Sequence, residues 1–153
     1  MVSTHGCSFA QYADMYSQLN LKEMRYLGLR DVPGLLQKYS YVRGKLALDY
    51  GCGEGRSPAF LRSLGFSVDG VDISESMINL ARQAVPESNF QVLHEGKIPA
   101  EDEHYDLVFC SWVLQEIDSK PKLVSVLTKI FRVLKKEGIL VAVVASETLY
   151  NKD

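Results

Sequence analysis

The sequence has few cysteines and no long apolar run, and each shortage argues against a class of protein. Three of its 153 residues are cysteines, Cys7, Cys52 and Cys110, without CxxC spacing or a nearby histidine pair. This odd set argues against a disulfide framework and against a zinc site, and it favours a reducing compartment. The first residues do not show a basic segment followed by an apolar one, which is the pattern of a secretory leader. No apolar run reaches the roughly 18 residues that span a bilayer. We therefore expect a soluble, cytoplasmic protein that does not act at a membrane and binds no metal.

An excess of charge of one sign is also missing. The 17 lysines and arginines stand against 19 aspartates and glutamates, which leaves a formal net charge of −2. A protein that binds nucleic acid through its phosphates normally carries a basic surface. We therefore expect no nucleic-acid partner. The length fits one domain, and 46% hydrophobic residues supply its core.

The sequence does contain short apolar strands that alternate with amphipathic helices. Strands are predicted at residues 45–49, 66–72, 89–93, 106–111 and 139–145. Helices are predicted at 11–27, at a short segment opened by Pro33, at 56–64, from Ser74 to Pro86, and over 123–134 with Lys135 and Lys136 in the last turn. Such alternation is typical of an α/β three-layer sandwich, in which helices cover both faces of a doubly wound, mostly parallel sheet.

A glycine-rich loop follows the first strand. It begins at Asp49 and brings Gly51, Gly53 and Gly55 within the next six residues. The third glycine comes one residue too early for the dinucleotide fingerprint, which weighs against a nucleotide-dependent oxidoreductase. Asp72 ends the second strand, where a carboxylate can accept both hydroxyls of a ribose. Asp49, beside a loop of backbone N–H groups, suits an amino-acid moiety, so the two carboxylates together suit a nucleoside that bears an amino acid.

Four segments in order resemble the motifs of the class I S-adenosylmethionine-dependent methyltransferases. Residues 46–55 are similar to motif I, 70–77 to the segment after it, 105–117 to the region of the fourth strand, and 134–140 to motif III. The resemblance covers residues 45–145. It implies a Rossmann-like sheet with strand order 3-2-1-4-5, with residues 1–44 as a helical lid segment and 45–153 as the cofactor-binding part. The implied cofactor is S-adenosyl-L-methionine, and the implied product is S-adenosyl-L-homocysteine.

The resemblance also assigns cofactor contacts position by position. Asp49 and the loop would line the methionine part, Asp72 would hold the ribose, Ile73 and Met77 would flank the adenine, and Glu95 would meet its amino group. The full set of expected contacts is Tyr16, Asp49, Gly51, Cys52, Gly53, Asp72, Ile73, Met77, Glu95, Ser111 and Trp112.

Several of these residues also have purely structural interpretations. Asp49 and the glycines could form a tight turn without a ligand, and Asp72 could only cap a helix. Tyr12, Tyr16 and Trp112 could pack in the core. Cys52 is expected to fill space in the loop rather than to act as a nucleophile.

Two functions are left open. The first is methyl transfer to a small-molecule acceptor, for which no catalytic residue is assigned. The second is a cofactor-binding but non-catalytic module that another chain completes. Members of the family usually add two strands after the fifth, whereas here the predicted strand 139–145 lies close to Asp153. An apolar sheet edge invites association, so we expect a homodimer partner, another chain, the tail or further sequence to cover it.

Overall fold

The structure, a computed structural model, describes residues 28–39 and 45–145. The described chain forms five strands, which are β1 (Leu46–Tyr50), β2 (Ser67–Asp72), β3 (Asn89–Val92), β4 (Tyr105–Ser111) and β5 (Leu134–Val143). The α-helices are α1 (Val32–Tyr39), α2 (Arg56–Ser63), α3 (Glu75–Ala84) and α4 (Lys120–Val133), and a short 3-10 helix covers Leu114–Glu116. The predicted helix at 11–27, with Tyr12 and Tyr16, and the tail after residue 145 lie outside the described residues.

The strands form one parallel sheet in the order β3-β2-β1-β4-β5. The chain therefore winds outward from β1 through β2 to β3, returns to pair β4 with the other side of β1, and continues to β5. This confirms the predicted doubly wound α/β fold and its strand order. The change of direction lies between β1 and β4, and open sheets of this kind bind ligands at that point, beyond the carboxyl ends of the strands.

Helices cover both faces of the sheet because successive strand residues point to opposite sides. Ala47 of β1 packs with Leu36 of α1 and Leu61 of α2. Its neighbour Leu48 packs on the other face, against Ile130 of α4 and further residues. Helix α3 adds a third cluster, centred on Ile78 and Phe90, beside β2 and β3. The sheet is thus buried on both sides, as its near-continuous apolar strands predict.

The boundary between α4 and β5 differs from the prediction. Lys135 and Lys136 were expected in the last turn of the helix, but α4 ends at Val133 and both lysines lie in β5. Lys135 Nζ lies 3.0 Å from Oδ1 of Asp106, whose Oδ2 accepts a hydrogen bond from the backbone of Leu46 at 2.9 Å. The backbone becomes extended at Leu134, which pairs with Tyr105 at the start of β4, and the pairing of β4 with β5 shifts register between Tyr105 and Leu107.

The remaining elements match their predicted positions to within a few residues. Ser74 caps α3 as predicted, since its hydroxyl accepts a hydrogen bond from the backbone N–H of Met77 at 3.4 Å. In the described ranges, no helix has both the length and the apolar character that crossing a membrane requires.

Candidate functional site

The loop after β1 turns sharply because Gly51 has a backbone conformation that other residues rarely adopt. Its φ is +80°, and a Cβ atom at this position would lie 2.2 Å from Cγ2 of Val113. The backbone N–H groups of Gly51 and Cys52 donate to the carbonyl oxygen of Val71 at 2.8 and 3.0 Å. The ends of β1 and β2 and the segment after β4 are therefore in direct contact at the carboxyl edge of the sheet.

Gly53 presents bare backbone to open space. Its φ is +52°, and no atom lies within 4 Å of the place where a Cβ would be. The N–H of Gly53 donates to Oδ2 of Asp72 at 3.0 Å. A ligand can thus approach the main chain here, beside a carboxylate, which is the usual reason for glycine in such a loop.

Asp49 is fully buried, and only one of its two carboxylate oxygens has a hydrogen-bond partner. Its Oδ2 accepts a hydrogen bond from the hydroxyl of Ser57 at 2.5 Å, whereas its Oδ1 has no hydrogen-bond partner. Burial raises the pKa of Asp49 to about 7, the Ser57 hydroxyl opposes this rise, and the negative charge of Asp72 adds to it. A buried carboxylate oxygen without a donor is costly, and an ammonium group would satisfy it.

Asp72 lies half-buried at the end of β2 and is oriented by the main chain. In addition to the Gly53 contact, its Oδ1 accepts a hydrogen bond from the backbone N–H of Ser74 at 2.9 Å. Each carboxylate oxygen has a second lone pair that can accept a further donor. Ser74, and not Asp72, caps α3, so the helix-capping interpretation of Asp72 is wrong. The Asp72 carboxylate keeps acceptor capacity for a ligand.

The two residues predicted to flank an adenine have different surroundings. Ile73 is 72% exposed directly after β2, an unusual environment for a large apolar side chain, whereas Met77 is buried in the first turn of α3. Ile73 thus offers an open apolar surface next to Asp72.

Cys52 points away from the open side of the loop. Its side chain is buried with Ile78 and Phe90. Burial, together with the charges of Asp49 and Asp72, raises the pKa of its thiol far above the ordinary value. A thiol held in its neutral form is a poor nucleophile, which agrees with the space-filling interpretation.

Glu95 lies three residues after the end of β3. The N–H of Leu93 donates to the carbonyl oxygen of Asp72 at 2.8 Å, which brings this segment to the same edge of the sheet. The side chain of Glu95 is exposed, its φ is +53°, and its carbonyl oxygen lies 3.5 Å from Nζ of Lys129. The described contacts show no interaction between this carboxylate and the other predicted residues.

Ser111 and Trp112 follow β4, and both are half-buried. The φ of Trp112 is +63°, which is rare for a bulky residue and marks local strain. Its N–H donates to the carbonyl oxygen of Val143 at 2.8 Å. A Cβ atom on Gly28 would lie 2.8 Å from Cζ2 of the indole, so Trp112 packs directly on the backbone of Gly28.

Two polar residues of this region were not predicted as part of the site. Ser57, the second residue of α2, holds Asp49, and its position directly after the glycine loop is the signal that could have identified it. Glu54 of the loop forms an ion pair with Arg56, the first residue of α2, and its Oε2 is buried without a hydrogen-bond partner. The described residues contain no cluster of histidine, cysteine or acidic side chains that could hold a metal ion.

Comparisons with known proteins identify the same part of the chain. Residues 48–142 match a family described as "Methyltransferase domain". The chain is 32% identical over 104 residues to a ubiquinone biosynthesis O-methyltransferase of Burkholderia vietnamiensis. The matched segment covers 65% of this chain and 45% of that protein. Over 144 residues it is 29% identical to the uncharacterized methyltransferase YodH of Bacillus subtilis, which covers 90% of this chain and 59% of YodH.

A solved structure shows the same architecture. A protein from Pyrococcus horikoshii superimposes with a TM-score of 0.71 at 29% sequence identity, over 90% of this chain and 66% of that one. The chain spans about half the length of the two curated relatives described above.

Proposed function

Because the chain belongs to the methyltransferase domain family, with the fold of the class I S-adenosylmethionine-dependent enzymes, we propose that it transfers a methyl group from S-adenosylmethionine to a small-molecule acceptor. The observation that carries this proposal is the unpaired Oδ1 of Asp49, fully buried at the carboxyl edge of the sheet. The amino-acid end of the cofactor carries an ammonium group, which would supply the missing donor and the missing positive charge.

The rest of the cofactor would extend along the same edge. The open backbone at Gly53 can face the methionine part, together with Gly51, and the free lone pairs of Asp72 can accept the two ribose hydroxyls. The exposed side chain of Ile73 can cover one face of the adenine. In this proposal Cys52 and Met77 support the pocket from behind, and Glu95 approaches the adenine amino group from the segment after β3.

The segment before residue 28 would cover the cofactor as a lid, within an N-terminal part of residues 1–44. The contact between Gly28 and Trp112 supports this proposal, because it places Gly28, the residue that follows this segment, beside the exit of β4. Tyr16 is the residue of that segment for which we propose cofactor contact. Ser111 and Trp112 would then lie between the cofactor and the acceptor.

The reaction requires mainly positioning. S-adenosylmethionine supplies a methyl group on a positively charged sulfur, which is already activated for displacement. The residues of the chain therefore have to hold the acceptor atom in line with that group and keep water away. Asp49 and Asp72 would fix the two ends of the cofactor, and Trp112 would form an apolar wall on the acceptor side.

The small-molecule acceptor is supported by the named function of one relative, an O-methyltransferase of ubiquinone biosynthesis, and by the near-neutral charge of the chain. The test is an incubation of the purified protein with methyl-labelled S-adenosylmethionine and separate metabolite, protein and RNA fractions. We expect label in the metabolite fraction. Label that appears only in protein or RNA contradicts the proposed acceptor class.

Buried, unpaired Cys52 and Cys110 support a cytoplasmic, reducing location.

A second candidate function is a module that binds the cofactor and is completed by another copy or another chain. It is favoured by β5, which pairs only with β4 among the described strands, and by Phe131 of the neighbouring helix α4, which is 61% exposed. Light scattering on the purified chain tests it, with Phe131→Lys as the variant. A stable dimer that becomes a monomer in the variant supports this candidate, and a wild-type monomer with full methyl transfer contradicts it.

A further inference from the structure

Ser57 has an environment that ordinary helix packing does not require. It is the second residue of α2 and almost completely buried. Its hydroxyl donates a hydrogen bond to Oδ2 of Asp49 at 2.5 Å. A serine that only filled space could be replaced by alanine with little loss of stability, whereas the hydroxyl of Ser57 donates its single proton to a buried carboxylate.

The contact leaves the two oxygens of Asp49 in different states. Oδ2 is occupied by Ser57, and Oδ1 is buried without a partner. A carboxylate held at one oxygen cannot rotate freely, so the direction of the second oxygen is fixed as well. We propose that Ser57 is a positioning residue for cofactor binding, which holds Asp49 so that its free oxygen faces the ammonium group of the ligand. This inference rests on the proposed function.

The electrostatics around Asp49 favour a positively charged ligand. Asp72 on β2 adds negative charge. Cys52 in the loop and Cys110 on β4 are thiols whose pKa values are raised first by burial and then by the charge of Asp49. Ser57 and Asp72 are the side chains that shift the pKa of Asp49, and neither is a cation. The Ser57 hydroxyl lowers this pKa, because it stabilises the ionised form that an ammonium needs.

The experiment compares two ligands on four proteins by calorimetric titration. S-adenosylhomocysteine carries the ammonium group, whereas 5′-methylthioadenosine keeps the adenine and ribose but lacks the amino-acid end. The variants are Ser57→Ala, Ser57→Cys and Ser63→Ala. Cysteine nearly preserves the volume but is a weak donor. Ser63, exposed on the same helix and bonded only to the carbonyl oxygen of Phe60, is the matched control.

At about pH 8, where Asp49 is mostly ionised, we expect Ser57→Ala and Ser57→Cys to weaken S-adenosylhomocysteine binding about tenfold. Binding of 5′-methylthioadenosine should stay unchanged in both, and Ser63→Ala should leave both ligands unaffected. The acid limb of S-adenosylhomocysteine binding should move to higher pH in the two Ser57 variants, because Asp49 loses the donor that favours its ionised form. A purely structural role would not produce this shift.

Three results distinguish a failure of the positioning role from a failure of the proposed function. Equal weakening of both ligands, or wild-type affinity in Ser57→Cys, overturns the positioning role while the proposed function stands. A wild-type protein that binds neither ligand overturns the proposed function itself. If Ser57→Ala does not fold, Ser57→Cys alone decides, because it keeps the packing and removes the strong donor.

Discussion

The backbone N–H of Gly53 donates to Oδ2 of Asp72 at 3.0 Å, which ties the glycine loop to the end of the neighbouring strand. The same carboxylate also receives the N–H of Ser74 at 2.9 Å. Asp72 therefore organises two backbone segments on either side of the place proposed for the ribose. Its replacement removes both the proposed ribose acceptor and the support of the loop.

The first prediction concerns this carboxylate. We expect Asp72→Ala to weaken S-adenosylhomocysteine binding by about 100-fold, the effect of losing two charge-assisted hydrogen bonds. Calorimetric titration measures the loss. The control is Asp69→Asn, three residues earlier in β2, where the carboxylate accepts from Tyr105 and Asn89. An equal loss of affinity in the control would show that the effect is on folding and not on the site.

The second prediction concerns the turn at Gly51. We expect Gly51→Ala to lower the free energy of unfolding by at least about 2 kcal/mol, because a side chain here adopts a strained φ and collides with Val113. Urea unfolding measures the loss. The additional substitution Val113→Ala should recover only the part of the lost free energy of unfolding that comes from the collision, since the backbone strain remains.

Gly34 is the matched control for Gly51. It lies inside α1 with no atom within 4 Å of the place where its Cβ would be, and its φ is ordinary for a helix. Gly34→Ala should raise the free energy of unfolding by up to about 1 kcal/mol. If both substitutions had the same sign, the special geometry of the loop would not explain the effect of Gly51→Ala.

The sequence predicted the sheet well because its strands are local apolar runs and its order follows from the motifs. The sequence could place Asp49, Gly51 and Asp72 at the carboxyl edge of the sheet because they lie at or directly after strand ends, where chain order alone determines the edge. The end of α4 could not be predicted, because Leu134 leaves the helix to pair with Tyr105, which is 29 residues away in the chain. Helical periodicity carries no information on such a contact.

Two features of the site depend in the same way on distant contacts. The hydrogen bond from Ser57 to Asp49 depends on the angle at which α2 packs against β1. The spacing of eight residues between them in the sequence does not determine that angle. The left-handed conformation of Trp112 is unusual for its residue type, so residue preferences point away from it. Its backbone N–H instead meets the carbonyl oxygen of Val143 on β5.

The third prediction uses Trp112, the only tryptophan in the chain, as a reporter. Its indole packs on Gly28, so Gly28→Ala must displace the ring, because the added Cβ would lie 2.8 Å from Cζ2. We expect a shifted fluorescence maximum in the free protein and weaker S-adenosylhomocysteine binding, by a few-fold, since the displaced ring borders the proposed site. Steady-state fluorescence and titration measure the two effects. An unchanged spectrum in Gly28→Ala would contradict the contact.

The fourth prediction concerns the pH dependence of stability. An aspartate in the unfolded chain ionises near pH 4, whereas the pKa of Asp49 in the folded protein is about 7. Between these values the folded state binds more protons than the unfolded state. The contribution of Asp49 to the free energy of unfolding therefore falls as pH rises through this window, by at most about 1.4 kcal/mol per pH unit. Asp49→Asn should remove this slope, which urea unfolding at several pH values measures.

The same residue should behave oppositely towards the ligand, because the ionised carboxylate that destabilises the free protein is the form that pairs with an ammonium group. S-adenosylhomocysteine should therefore raise the thermal unfolding temperature of the wild type more above pH 7 than below pH 6. Asp49→Asn should be more stable than the wild type at about pH 8 without ligand and gain less from it. If the variant gained as much stability from S-adenosylhomocysteine as the wild type, the ammonium would bind elsewhere and the unpaired oxygen of Asp49 would have no part in the site.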